Sequence, residues 1–151
     1  MLNLFRKKER KVPTFVDLEN STIKDKYFIR LAQWDWLNNQ MIQIVDNNAP
    51  RLITLDPWPQ LIFLNATGEK TIAAFVNKMV NMYGAKEKIP ENLDTNILEM
   101  VATLLNEKLI ALVDTAGTLP YYLDLPQCEL DQEKARKLME ADGFLKMGHL
   151  P

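Results

Sequence analysis

The chain has 151 residues, of which 47% are hydrophobic and 25% are charged, a composition typical of a globular domain and not of a disordered segment. Its formal net charge of −2 combines a basic start, with RKKERK at 6–11, and an acidic remainder, which disfavours binding to nucleic-acid phosphates. Cys128 and His149 are the single cysteine and histidine, so the sequence excludes an internal disulfide and a metal centre rich in cysteine or histidine.

The beginning of the chain does not resemble an export signal. Its apolar residues precede the basic cluster, the reverse of a signal peptide, and no run of about 18 apolar residues could span a membrane. We therefore expect a cytoplasmic protein with no membrane span. Residues 1–13 are predicted to be a disordered basic lead-in. The alternative is an amphipathic anchor that inserts Leu2, Leu4 and Phe5 into lipid, a patch too small to hold by itself.

Residues 27–37, YFIRLAQWDWL, fit either a helix or a strand. A helical face would hold Ile23, Tyr27, Leu31 and Trp34. A strand face would hold Phe28, Arg30, Ala32, Trp34 and Trp36. The pattern slightly favours the helix.

Three short β-rich runs follow at 40–46, 51–56 and 60–65. The intervening Asn-Asn-Ala-Pro and Pro-Trp-Pro segments are typical of tight connections between antiparallel strands, so we predict a β-meander. Pro57 and Pro59 cannot donate hydrogen bonds to a neighbouring strand and are placed outside the sheet.

The joint after these runs contains GEKT, which is close to a phosphate-binding loop. Such a loop needs an earlier glycine where Phe63 stands, and Glu69 would repel the phosphates. We interpret Gly68 as a tight turn before a helix. That helix spans 72–83, with Asn65 or Thr67 as its cap and a left-handed Gly84 at its end.

A second helix is predicted to start at a capping Asp94 and to end near Lys108. Two β-runs, 109–113 and 119–125, flank a turn that contains glycine, and this arrangement is typical of the wing of a winged-helix domain.

A short charged helix at Leu130–Ala141, closed by Gly143, completes the predicted elements. We predict one α+β domain at 14–127, followed by a C-terminal helix and tail at 128–151. The domain would be a small antiparallel β-meander packed on two or three helices, winged-helix-like, with a C-terminal hairpin.

The joint and the end of the second helix together resemble PqqD-like peptide-binding domains, also called recognition elements of ribosomally made, modified peptides. The resemblance covers about residues 40–113. The matching residues are Leu64, Asn65, Thr67, Gly68, Leu104, Leu105, Lys108, Leu109 and Ile110. The chain departs from the family at Lys108, where the family has glycine, and in its additional segments at both ends.

The resemblance implies a non-enzymatic module that captures an extended peptide by strand addition and packs its side chains against a helix. The edge strand would come from 51–56 or 60–65, and the wall of the groove from 94–106. The implied peptide-binding residues are Ile53, Thr54, Leu61, Phe63, Asn96, Met100 and Thr103. A modifying enzyme is an implied partner.

No residue pattern indicates catalysis, a cofactor or a metal, so we predict a protein that is not an enzyme. The alternative function is a structural or accessory subunit that uses an aromatic surface of Trp58, Tyr121 and Tyr122. A winged-helix transcriptional regulator is disfavoured, because the outward positions of the second helix include glutamates and no arginine. The sequence leaves the identity of the partner and the oligomeric state open.

Overall fold

The computed structural model describes residues 11–47 and 51–144, so residues 1–10 of the predicted lead-in lie outside the described residues. The helices are α1 (Val16–Glu19), α2 (Pro57–Asn65), α3 (Ile72–Met82), α4 (Leu93–Asn106), α5 (Tyr121–Asp124) and α6 (Gln132–Asp142). The strands are β1 (Tyr27–Arg30), β2 (Trp34–Trp36), β3 (Ile42–Asp46), β4 (Arg51–Ile53), β5 (Thr67–Thr71) and β6 (Ile110–Val113).

The strands form two antiparallel sheets of three strands each, with the orders β5-β1-β6 and β2-β3-β4. In the first sheet, Tyr27 lies opposite Thr71 and Arg30 lies opposite Ile110, so β1 is central between two strands from much later in the chain. One hydrophobic core contains residues of both sheets and of α2, α3 and α4. The predicted α+β class is therefore confirmed.

The slight preference for a helix at 27–37 is wrong, because this stretch forms β1 and β2. Phe28, Arg30, Ala32 and Trp34 are all buried, whereas the residues between them are half-buried. This alternation is the period of a strand, in which successive side chains point to opposite faces. An antiparallel meander is present, but it is formed by β2, β3 and β4 and not by the three predicted runs at 40–46, 51–56 and 60–65.

The run 60–65, predicted to be a strand, is part of α2. The two prolines do not interrupt this helix, because Pro57 and Pro59 occupy its first turn, where backbone N–H groups have no partner within the helix. Ile62 and Phe63 are consecutive and both fully buried, as a helix packed on several sides allows. The adjacent run 51–56 does begin with a strand, β4.

Helices α3 and α4 are where the apolar period predicts them, but three predicted helix ends are wrong, namely Asn65 or Thr67 as the cap of α3, Gly84 as its left-handed end, and Asp94 as the cap of α4. Thr71 caps α3 by accepting a hydrogen bond from the Ala74 N–H at 3.1 Å. Asp94 lies inside α4, where it is buried and accepts a hydrogen bond from the Leu18 N–H at 3.0 Å. Gly84 is not left-handed; among the described glycines, Gly68 and Gly143 are.

The predicted hairpin of 109–113 with 119–125 is also wrong. The first run forms β6, which pairs with β1, and the second contains the short helix α5. Tyr122 and Leu123 are consecutive and both buried, whereas a strand would place them on opposite faces. The loop between β6 and α5 returns to β5, with the Gly117 N–H donating to the Gly68 carbonyl at 2.9 Å.

The C-terminal helix is confirmed as α6, with Asp131 as its cap and the left-handed Gly143 at its end. Together α5 and α6 form a second, smaller hydrophobic cluster. Its buried members are Tyr122, Leu123, Leu130, Ala135 and Met139. The predicted boundary at 127 therefore falls between two helices that share a core.

Candidate functional site

One edge of the second sheet has no strand beside it within the described residues. The Val45 N–H donates to the Gln33 carbonyl at 2.9 Å, so Val45 bonds toward β2 and its neighbours in β3 bond toward β4. Backbone groups alternate in direction along a strand. The N–H and carbonyl of Leu52 in β4 therefore point away from the sheet, and its side chain is 58% exposed.

The opposite edge of this sheet, β2, is covered. The Trp36 N–H donates to the Asp35 carboxylate at 2.8 Å, which satisfies a backbone group on that edge. A 3₁₀ turn at Gln127–Glu129 packs against β2, and the Gln33 amide donates to the Tyr122 carbonyl at 3.3 Å. From the part of the chain that the structure describes, an added strand therefore meets an obstacle at β2 that it does not meet at β4.

Helix α2 takes the place of β4 where that strand ends. Ile42 in β3 has no strand residue opposite it on this side, and its N–H donates to the Gln60 side chain at 2.9 Å. The same side chain donates to the Gln40 carbonyl at 2.8 Å. Gln60 thus fixes α2 against the sheet and sets the direction in which the chain leaves β4.

Two cavities lie along α4, and they face the chain from β4 into α2. We call them together the β4–α4 groove. The end cavity, of about 340 Å³, lies between β4 and the end of α4. Its lining residues are Asp46, Arg51, Ile53, Asn106, Glu107, Lys108 and Leu109. The second cavity, which we call the anchor cavity, has about 540 Å³.

The anchor cavity lies between the start of α2 and the first half of α4. Its apolar residues are Pro57, Trp58, Pro59, Tyr83, Pro90, Leu93 and Met100. Its polar residues are Asp56, Asn96 and Glu99. Trp58 and Met100 also pack against the main core, which holds the walls in place. The cavity is therefore apolar with acidic groups at its border, and no lysine or arginine among the described residues lines it.

The end cavity has a different electrostatic character. Arg51 forms an ion pair with Asp46 at 2.8 Å, and the Asp46 side chain is only 7% exposed. Lys108 adds a second cation to the lining and Glu107 a second carboxylate. Charges of both signs balance there, in contrast to the anchor cavity.

The structure brings several of the predicted peptide-binding residues to this groove. Ile53 lines the end cavity, and Thr54 follows it on the exposed side of the chain. Asn96 and Met100 line the anchor cavity together with Trp58, which the sequence assigned to an interface. Two predictions from different arguments therefore meet in one place.

The other three predicted peptide-binding residues lie elsewhere. Phe63 is fully buried in the core, and Leu61 is half-buried on α2, where no strand edge exists. Thr103 is exposed on α4 but lines neither cavity, and its hydroxyl donates to the Glu99 carbonyl of its own helix at 3.1 Å. The assignment of 60–65 to a strand placed Leu61 and Phe63 on a sheet edge incorrectly.

The two tyrosines of the predicted aromatic surface belong to the second cluster. The Tyr122 hydroxyl donates to the Asp142 carboxylate at 2.9 Å. Burial, followed by the hydrogen bond and charge of Asp142, raises the pKa of Tyr122 to about 12. The Tyr121 hydroxyl accepts from the Asp131 N–H at 2.9 Å. Both tyrosines therefore make their contacts within the C-terminal segment, and neither lines the groove that Trp58 lines.

Sequence reasoning missed Leu52 as a residue of the open strand edge and Asp56 as a residue of the groove. The β-rich run that contains Leu52 indicated a strand with backbone groups on both of its edges. It did not indicate which edge would lack a neighbouring strand. Asp56 stands immediately before α2, and the assignment of that helix to a strand hid its position at the cavity border.

No helix among residues 11–47 and 51–144 is long and apolar enough to cross a bilayer. Comparisons of the whole chain with protein-family models, with curated proteins and with solved structures find no match.

Proposed function

We propose that this domain binds an extended segment of a partner peptide or protein by strand addition to β4. The observation that carries the proposal is the open edge of β4 beside the β4–α4 groove. An added strand gains main-chain hydrogen bonds from the edge, and its side chains on one face enter the groove. The domain would then be a non-enzymatic recruitment module.

The two walls of the groove have similar lengths, which supports an extended ligand. A chain from Arg51 to Asp56 spans about 16 Å when extended, and α4 spans about 15 Å from Asn96 to Asn106. The cavities occur in opposite order along the two walls, so the chain from β4 into α2 runs antiparallel to α4. About five residues of a peptide fit this length.

The resemblance to PqqD-like domains supports the same site. It implied an edge strand at 51–56 or 60–65 and a groove wall at 94–106. With α2 at 60–65, the first of these edges remains, and it faces α4 as the resemblance requires. On this proposal, a modifying enzyme that acts on the bound peptide is a partner. The absence of a wing hairpin after β6 is a departure from winged-helix domains.

Replacement of Leu52 by proline tests strand addition. Leu52→Pro removes an outward N–H and leaves the bonds of β4 to β3 in place, a position at which edge strands tolerate proline. Peptides selected from a random-peptide library on the wild-type protein serve as probes. We expect Leu52→Pro to weaken their binding at least about tenfold, as measured by fluorescence anisotropy.

Leu52→Val is the matched control, because it changes the side chain and keeps the N–H. We expect it to bind the same peptides with nearly wild-type affinity. Thr54→Pro is a second test, since Thr54 is the next residue with an outward backbone. Circular dichroism verifies that each variant is folded. Wild-type affinity in folded Leu52→Pro and Thr54→Pro proteins would show that the peptides do not pair with β4.

A second candidate function, an accessory subunit, is favoured by an apolar patch at the β2–β3 connection. Trp36, Leu37 and Met41 are 45%, 46% and 38% exposed, and the Leu37 N–H donates to the Met41 carbonyl at 2.9 Å. Adjacent exposed apolar side chains are typical of surfaces that bind other proteins. Light scattering of the wild-type protein and of the Trp36→Lys variant, each at low and at high concentration, tests this candidate. A monomeric mass for both proteins at both concentrations would argue against association through the patch.

A further inference from the structure

We propose that the segment recruited to β4 carries a large apolar residue next to a lysine or arginine, with the apolar side chain in the anchor cavity and the cation at Asp56 and Glu99. This inference rests on the proposed function and assigns the chemistry of its ligand.

The walls of the anchor cavity favour an apolar side chain. Trp58, Leu93 and Met100 form its floor as part of the main core or packed against it. Three prolines, Pro57, Pro59 and Pro90, add further apolar surface to the lining. Proline backbones lose little freedom when a ligand binds, because their φ angles are already fixed. A leucine or aromatic side chain of the partner would remove these apolar surfaces from water.

The carboxylates at the border have no cation of their own among the described residues. Asp46 pairs with Arg51, and Asp124 lies 3.7 Å from the Arg30 guanidinium. By contrast, Asp56 and Glu99 are both exposed, and neither forms an ion pair with another described residue. A ligand cation would therefore meet two negative charges with no competing lysine or arginine from residues 11–47 and 51–144 in the lining.

The position of Asp56 explains why its carboxylate is available. Asp56 is the N-cap of α2, where an aspartate normally accepts a hydrogen bond from the second or third helical N–H. The third helical residue is Pro59, which has no N–H, and the Asp56 side chain makes no capping bond. The first turn of α2 thus holds the carboxylate at the cavity border without using it.

The spacing along the chain defines the expected ligand pattern. Asp56 lies four positions after Leu52, which corresponds to at most about 13 Å of extended chain. A peptide paired with Leu52 therefore reaches the anchor cavity about four residues further along. The recognised pattern is a strand-forming stretch with an apolar–basic pair at one end.

Two sets of four synthetic peptides test this chemistry. All peptides have the same alternating Thr-Val stretch, and the four members of a set carry Leu-Arg, Leu-Glu, Ser-Arg or Ser-Glu. One set carries this pair at the C-terminus and the other set carries it at the N-terminus. In one set we expect the Leu-Arg peptide to bind tightest to the full chain. Serine in place of leucine should weaken binding about tenfold or more, and glutamate in place of arginine about fivefold, with the second difference shrinking in high salt.

Charge reversal assigns the preference to the border carboxylates. In the Asp56→Lys/Glu99→Lys variant, the Leu-Glu peptide should bind more tightly than the Leu-Arg peptide. The control variant, Asp25→Lys/Glu69→Lys, has the same change in net charge at exposed positions that do not line the groove, and it should keep the wild-type order. An unchanged order in the first variant would contradict the assignment.

The outcomes separate this inference from the proposed function. If all four peptides bind equally and Leu52→Pro weakens them all, strand addition stands and the apolar–basic ligand is wrong. If no peptide binds the wild-type protein, both the proposed strand addition and the proposed apolar–basic ligand are contradicted. A fifth peptide, MLNLFRKKER, reproduces residues 1–10 and also joins apolar to basic residues. Tighter binding of this peptide than of Leu-Arg would make the chain's own start the ligand and overturn the assignment to a partner.

Discussion

Arg30 connects the two hydrophobic clusters through backbone carbonyls. Its side chain is 3% exposed and donates to the carbonyls of Leu123 and Asp124 at 2.7 Å each and of Leu64 at 2.9 Å. Burial lowers the pKa of the guanidinium, and the charge of Asp124 opposes this. Arg30 therefore joins the end of α2 to α5, and its charge is compensated by carbonyl dipoles more than by an acid.

We predict that Arg30→Met lowers the free energy of unfolding by about 2–4 kcal/mol, because it leaves buried carbonyls without donors. Urea denaturation followed by tryptophan fluorescence measures the change. Arg136→Met is the control, since Arg136 forms an exposed ion pair with Glu140 and its loss should cost about 0.5 kcal/mol or less. Similar losses in the two variants would contradict the role given to Arg30.

The raised pKa of Tyr122 makes the free energy of unfolding depend on pH in the alkaline range. Its pKa is raised from 10.0 to about 12 in the folded protein, so folding favours the neutral phenol. The resulting stabilisation is complete below pH 10 and is lost as pH rises toward 12. We predict that wild-type stability falls more steeply than that of Tyr122→Phe over this range, by at most about 2–3 kcal/mol. Urea denaturation at several pH values compares the two slopes, and parallel slopes would contradict the prediction.

The sequence could place Arg30 on a strand face but could not show that it was buried. Its partners come from residues that lie more than thirty and more than ninety positions later in the chain, and no local pattern brings them together. The same holds for Asp94, which appeared as a helix cap and instead binds the N–H of Leu18, an interaction across 76 positions.

At the scale of the element, Lys108 at the end of α4 adopts a backbone conformation that is costly for a residue other than glycine. Its φ is 59°, its N–H donates to the Leu105 carbonyl, and the Leu109 N–H donates to the Leu104 carbonyl. These two bonds form a Schellman motif, whose left-handed residue is usually glycine. A side chain with a Cβ is strained in this conformation.

We predict that Lys108→Gly raises the free energy of unfolding by about 0.5–1 kcal/mol, because relief of the strain exceeds the entropy cost of a glycine. Gly143→Ala is the matched opposite change. Gly143 has a φ of 73° with open space around it, so alanine should destabilise by about 1 kcal/mol through backbone strain alone. Thermal denaturation measures both. A lower melting temperature for Lys108→Gly would contradict the strain at this position.

Elements with a clear period were predictable, and those with a mixed signal were not. The stripes of α3 and α4 repeat over three turns or more, so the local pattern agrees with the packing. The residues of α2 are mostly apolar and show no helical period, and its two prolines suggested a break in the chain, although prolines in the first turn of a helix do not interrupt it. That single error displaced half of the expected peptide edge, whereas the strand at the start of 51–56 and the helix α4 lie where the sequence predicted a strand and a helix.

At the scale of the whole molecule, the two hydrophobic clusters differ in size. Within the described residues the main core has twenty buried members and the α5–α6 cluster has five. We predict that residues 121–144 lose protection against hydrogen exchange at lower urea concentrations than residues 72–106, because fewer apolar contacts hold them. Mass spectrometry of exchanged peptides measures both segments in one sample.

Met139→Ala sharpens this test, since Met139 belongs only to the smaller cluster. The variant should lower the protection of 121–144 further and leave 72–106 unchanged. Loss of protection at the same urea concentration in both segments would show instead that the molecule unfolds as one unit.

The central position of β1 has a consequence for synthesis of the chain on the ribosome. One edge of β1 can pair with β5 about forty residues later, but Arg30 and its partner Ile110 are eighty residues apart, so the other edge of β1 stays open until β6 is translated. The nascent polypeptide cannot complete its first sheet before residues 110–113 have emerged, so a stalled or prematurely ended translation product exposes an apolar strand. Such products are natural clients for chaperones that shield unpaired β-structure.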